Sequence, residues 1–96
     1  VIVRLAHKGI IQKALIDTCH FKGNYPDTFT LEGTDNATDD LANAKWSTII
    51  ERTKLQADHE HHYEQQVRCT DPVTHVRLSI FPDGGVSRMR LWGTIA

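Results

Sequence analysis

The chain has 96 residues, with 11 Lys and Arg against 12 Asp and Glu and a formal net charge of −1. That length holds one domain with a modest core, and the near-neutral balance argues against a general polyanion binder, because nucleic-acid domains carry a basic excess on one face. No apolar run is long enough to span a bilayer and no signal-peptide pattern is present, so neither nucleic acid nor membrane is an expected partner; the cytoplasm is the expected compartment, with a peroxisomal address left open.

The first 21 residues, "VIVRLAHKGIIQKALIDTCHF", are rich in β-branched and alternating residues and read as strand, with His7 to Gly9 interrupting as a turn would. Residues 22–27 collect Gly, Asn, Pro and Asp and read as a loop. Thr28 to Gly33 is a short strand. Residues 34–45 are polar and acidic, an exposed loop with room for one helical turn at 39–44. Residues 46–50 resume as a strand, and a polar loop then leads into a strand over 62–69. Thr70 to Pro72 breaks it, and a hairpin follows over 75–93. Short strands at regular turn spacing predict an all-β sandwich or jelly roll, and no helical pattern supports an α/β fold. Cys19 and Cys69 both fall in strand-like runs and read as thiols rather than as a disulfide scaffold.

Asp83-Gly84 is a strong type I′ turn signal. A two-residue loop there would pair Ser79 with Arg88, Arg77 with Arg90 and His75 with Trp92. Alternation then places Val76, Leu78 and Ile80 on a core face with Ser87, Met89 and Leu91. His75, Arg77, Arg88 and Arg90 share the other face. Two directly opposed arginines repel, so that face is either a salt-bridged surface or a clamp for a carboxylate, whose geometry matches the guanidinium fork.

Two further clusters carry chemistry. Asp17, His20, Lys22, Asn24 and Tyr25 run from a strand into a loop and suit proton transfer and amide recognition, although solvated turn residues look the same in sequence. His59, His61 and His62, with Asp58 and Glu60 beside them, offer a divalent-metal alternative, with His59 and His61 on one face of a strand. No CxxC or HExxH pattern supports it, and no cofactor is expected.

With these residues read, "DTCHFKGNYPDTFTLEG" (Asp17 to Gly33), the middle "W…II…R…L" and "VTHVRLSIFPDGGVSRMRLWG" (Val73 to Gly93) together resemble the allantoicase family, in order and spacing, over residues 3–93. The resemblance implies a β-sandwich of the jelly-roll, galactose-binding-like type, present as two tandem repeats. Residues 1–96 look like a single repeat, the second, C-terminal one, and so half of a longer protein. Its expected partners are the sister repeat, further copies in a homo-oligomer, and a small-molecule substrate. The implied activity is hydrolysis of allantoate to ureidoglycolate and urea. On that reading His20, Asp17 or Glu32 moves a proton. Lys22, Asn24, Tyr25, His75, Arg77, Arg88 and Arg90 bind the carboxylate and ureido groups. The competing readings are a small-molecule- or carbohydrate-binding sandwich module without catalysis, since fold alone does not give function, a degenerate repeat that buries an interface, and a zinc-dependent hydrolase.

Overall fold

The computed structural model describes residues 1–19, 27–68, 71–81 and 86–96. Its strands are β1 (Ile2–Asp17), β2 (Thr28–Thr34), β3 (Ser47–Lys54), β4 (Glu60–Tyr63), β5 (Val73–Phe81) and β6 (Arg88–Ile95). All pair antiparallel, in the order β3-β2-β5-β1-β4 with β6 also on β1. The all-β expectation holds, and among the described residues no helix is long and apolar enough to cross a membrane.

β1 organises the fold because its two halves serve different layers. From Ile2↔Arg77 to Gly9↔Val73 it pairs with β5. From Gly9↔Ile95 to Asp17↔Arg88 it pairs with β6, and from Ala14↔Tyr63 to Asp17↔Glu60 with β4 on its other edge. The sheet therefore curls into a sandwich, with β3, β2, β5 and the first half of β1 in one layer and β4, the second half of β1 and β6 in the other. The turn expected at His7 to Gly9 does not form. The strand runs through, and its register against β5 shifts between Arg4 and Gly9. Gly9 permits the crossing, since a Cβ there would lie 2.6 Å from the Thr94 carbonyl oxygen.

The core lies between the layers. Phe29, Leu31, Ile49, Ile50, Val76 and Leu78 meet Ala14, Ile16 and Tyr63, all buried. The Phe29 and Tyr63 rings touch across the gap, with centroids 5.2 Å apart. Met89 and Leu91 pack against this core from β6 and stay partly exposed. Alternation along β5 is as expected, with Val76 and Leu78 inward.

The hairpin pairing is overturned. β5 already has β2 on one edge, from Thr28↔Phe81 to Thr34↔His75, and β1 on the other, so no edge is left for β6. β6 instead crosses to the other layer and pairs with β1. The Asp83-Gly84 turn lies outside the described residues. The strand expected over 62–69 is β4, earlier and shorter. Beyond it the chain bends, Val67 N–H donating to Glu64 O at 3.3 Å, and Arg68 N–H then caps the β3 edge at Ile49 O at 2.6 Å. The loop from Thr34 to Lys45 is largely exposed as expected, with a single turn where Ala44 N–H meets Leu41 O at 3.1 Å.

Candidate functional site

Antiparallel partners share a face, so the register sorts the β4–β1–β6 layer. Ile16 with Met89 and His61, and Ala14 with Leu91 and Tyr63, face the core. Asp17 with Arg88 and Glu60, and Leu15 with Arg90 and His62, face outward. Three chemistry-bearing residues from three strands are thus brought to one row at the end of β1.

Asp17 is the centre of that row. It is buried, and Arg88 Nε donates to its Oδ2 at 2.9 Å. Cys19 N–H donates to Oδ1 at 2.8 Å, a turn that an aspartate two residues upstream makes readily. The Asp17 carbonyl accepts both from Ser87 N–H at 2.7 Å and from the Ser87 hydroxyl at 3.0 Å. The Cys19 hydrogen bonds, with help from Arg88, hold the Asp17 carboxyl well below the usual carboxylate range in spite of burial. The thiol's own hydrogen bond to that carboxylate, with burial, pushes Cys19 up to about 11. At neutral pH Asp17 is therefore an ionised acceptor that orients Arg88, with no proton to give. Cys19 is a thiol, not a nucleophilic thiolate. Asp17, Cys19 and Glu60 bring one polar atom each to within 4.8 Å of one another, in a cluster that contains a protonated thiol and an arginine-paired carboxylate. Asp17, Cys19, Ser87 and Arg88 line an open cavity of about 440 Å³, and the Arg88 side chain is 46% exposed. Cys19 and Ser87 were not anticipated as site residues. Their only sequence signal is adjacency to Asp17 and Arg88.

Arg77 stands elsewhere, on the outer face of the opposite layer. Its Nε and Nη2 both donate to Glu32 Oε1, at 3.1 and 3.0 Å, and its guanidinium lies over Trp46, 4.3 Å from the ring centroid. The expected meeting of Arg77 with Arg88 or Arg90 is thereby corrected, because β5 and β6 belong to different layers. Glu32 is engaged by Arg77 on that distant face. His75 is buried beside them, with Nε2 2.8 Å from Asp39 Oδ1 and Nδ1 2.8 Å from Thr74 Oγ1. Asp39, held below its ordinary range first by that His75 contact, also meets Arg4 at 3.2 Å, and Lys8 pairs with Asp35 at 2.7 Å. This polar face straps the 34–45 loop to the sheet.

The three-histidine set is not assembled. The His61 Nε2 accepts from Gln56 N–H at 2.8 Å and its Nδ1 meets Ile16 O at 3.0 Å, so neither ring nitrogen is spare. His62 faces outward, 3.7 Å from Glu60. Of the loop residues, His20, Lys22, Asn24 and Tyr25 lie outside the described residues, as does Cys69.

A family model for the allantoicase repeat matches residues 1–96. The chain belongs to the allantoicase family. A protein of Ralstonia nicotianae named "Probable allantoicase" is 49% identical over 100 residues, covering 98% of this chain and 30% of its own length. One of Pseudomonas syringae pv. syringae, with the same name, is 43% identical, covering 100% of this chain and 30% of its own length. A solved structure described as "Structure of allantoicase" superposes with a TM-score of 0.81 at 38% identity, covering 97% of this chain and 27% of that one. The crystal structure of allantoicase from Saccharomyces cerevisiae matches equally, at 0.81 and 37%, over 97% of this chain and 26% of its own. The chain thus spans about 30% of the length of the curated relatives it matches. The allantoicase assignment agrees with the motifs at Asp17 to Gly33 and Val73 to Gly93, and with the β-sandwich.

Proposed function

We propose that this repeat forms part of an enzyme hydrolysing allantoate to ureidoglycolate and urea, and that its contribution to the site is the outward row at the end of β1. The observation that carries the reading is the Asp17–Arg88 pair. Asp17 takes only Nε, and the guanidinium is half exposed at a cavity mouth. Allantoate carries one carboxylate and two ureido groups on a single carbon. Arg88 offers it a planar donor edge for the carboxylate or a ureido oxygen. Asp17 fixes the orientation of that edge, so ordering it costs the substrate little. Arg90 shares the outward face of β6 and adds positive potential there.

The remaining steps are protonation of the departing urea and deprotonation of water. An ionised Asp17 has no proton to give and, paired with Arg88 and weakly basic, is a poor base for water; a protonated Cys19 is a poor nucleophile. We assign the proton transfer to His20, the residue after Cys19, whose type titrates near neutral pH. Lys22, Asn24 and Tyr25 are assigned to substrate recognition on the same segment.

The test is urea release from allantoate by the full-length protein containing this repeat, with and without Arg88→Ala. A fall of about a hundredfold, about 2.7 kcal/mol of transition-state stabilisation, is expected. Release that ignores Arg88 removes this row from the site. Binding of allantoate without turnover in the unaltered protein makes the repeat a binding module instead.

A further inference from the structure

Directly beside Asp17, Thr18 and the turn from Gln56 to His59 hold one another. The Thr18 hydroxyl donates to Gln56 O at 2.6 Å and accepts from His59 N–H at 3.1 Å, while Thr18 N–H donates to His59 O at 2.9 Å. Within this turn Asp58 has φ 48°, the left-handed region that a residue bearing a side chain enters at some cost. His61 supplies the remaining tie, reaching Gln56 through Nε2 and the β1 backbone through Nδ1. A backbone N–H can only donate and a carbonyl can only accept. These partners therefore fix the neutral ring with its proton on Nδ1 and a bare Nε2.

We propose that His61 is a pH-sensitive positioning residue for the Asp17–Arg88 pair: neutral, it clamps the Gln56–His59 turn onto Thr18 and so steadies Asp17, and protonated, it releases that turn. The inference rests on the reading of Asp17–Arg88 as part of the substrate site. Protonation would set a second N–H at Nε2 against Gln56 N–H, at what is now a 2.8 Å contact. Two donors then face each other with no acceptor between them at a part-buried contact, where the buried His61 ring cannot turn freely to water. The turn is the weaker partner, since it already carries the left-handed Asp58.

The charges around the ring come from each element packed on it. The turn brings Asp58 and His59, whose ring meets His61 edge-on with centroids 4.9 Å apart. β4 brings Glu60, His62 and Tyr63, the last with its ring stacked at 6.3 Å. β1 brings Asp17. Burial, with His59 and His62, opposes a charge on His61, and the Ile16 carbonyl and Asp17 favour it. The net result lies below the ordinary histidine value of 6.5. The release therefore needs more acid conditions than an ordinary histidine would and leaves the site engaged at neutral pH.

The full-length protein containing this repeat, ¹⁵N-labelled, is titrated by NMR downward from about pH 7.5 until the His61 ring has taken up its proton. His61 should begin as the Nδ1–H tautomer. As it titrates, the Gln56 and His59 amides and the Arg88 Nε–H should move with the same midpoint. His61→Gln keeps one donor and one acceptor without a titrating charge, and should abolish the shared step. Flat Gln56 and Arg88 signals through the His61 titration overturn the inference, as does a step that persists in His61→Gln. Should that variant fail to fold, the unaltered chain still decides. A shared step combined with urea release indifferent to Arg88 leaves the His61 clamp standing and removes the site reading. Arg88-dependent release without a shared step does the reverse.

Discussion

Arg77 gives two nitrogens to one Glu32 oxygen and lies on Trp46, whereas Arg88 gives one nitrogen to Asp17 and stays half exposed. The first arrangement commits two of the three guanidinium nitrogens and a ring contact; the second commits one and aims the rest outward. Arg77→Ala is accordingly expected to cost about 1 kcal/mol of stability, the scale of one partly exposed ion pair with a ring contact. It should spare turnover per folded molecule, read from urea unfolding beside a rate assay. Two other residues, along with Asp39, contribute to the pH response of folding. His61 is held below 6.5 by burial, so below that pH the unfolded chain takes up a proton that the folded chain resists. Its stabilising share is complete above 6.5 and is lost as pH falls. Asp17 is held below the ordinary carboxylate value of 3.8, so its share is present above that value and disappears as pH falls further. Thermal midpoints should therefore drop in two acid stages, and His61→Gln should remove the first alone. The types of these residues were legible in the sequence. Their partners were not, since Glu32 and Arg77, or Asp17 and Arg88, stand 45 and 71 positions apart.

Along β5 the alternation of Val76, Arg77 and Leu78 correctly gave inward and outward faces, because side-chain direction is a local property of extended backbone. It could not give the neighbouring strand. Asp83-Gly84 describes a turn, and a turn implies a hairpin only when both strands have a free edge; β5 has none. Likewise, Gly9 looked like a turn residue because glycine marks both turns and places where backbones come close. Its role is the second, opposite Ile95, and Gly93 plays the same part opposite Ile11. A Cβ on Gly93 would run into the Ile10 carbonyl oxygen, a backbone atom that cannot swing aside. Gly93→Ala is therefore expected to destabilise the chain by about 1 to 3 kcal/mol, in the range of overpacking substitutions. Denaturant titration measures it, and Gly9→Ala should cost less.

The core of the whole molecule is small and shared. Phe29 is fully buried and touches Tyr63 across the layers. Phe29→Ala is expected to cost about 3 to 5 kcal/mol, a large part of the 5 to 15 or so that a domain typically has. Circular dichroism should show a chain largely unfolded near body temperature. Where the layers part at β5 and β6, Val1, Val3, Leu78, Ile80, Met89 and Leu91 line an apolar groove of about 580 Å³. Nothing in the sequence disclosed that opening, since it follows from which strands fail to pair. The family, by contrast, was legible from a few words of sequence, because glycines, a proline and paired charges in fixed order are far rarer than an alternating strand.

The division of β1 between two layers also bears on how the molecule is made. Within this repeat β1 is translated before β4, β5 and β6, which occupy its edges. Until β4 and β6 are translated, the β1 stretch from Ile10 to Ile16 has no ladder on either side, the condition in which strands pair with the wrong chain. The layer of β3, β2 and β5 has all its strands once Phe81 is made, but the layer that completes the core waits for β6. Folding should therefore wait until translation of β6 is finished and then proceed slowly, as long-range pairing dictates. A nascent chain stalled before Arg88 should be a substrate for chaperones rather than a folding intermediate.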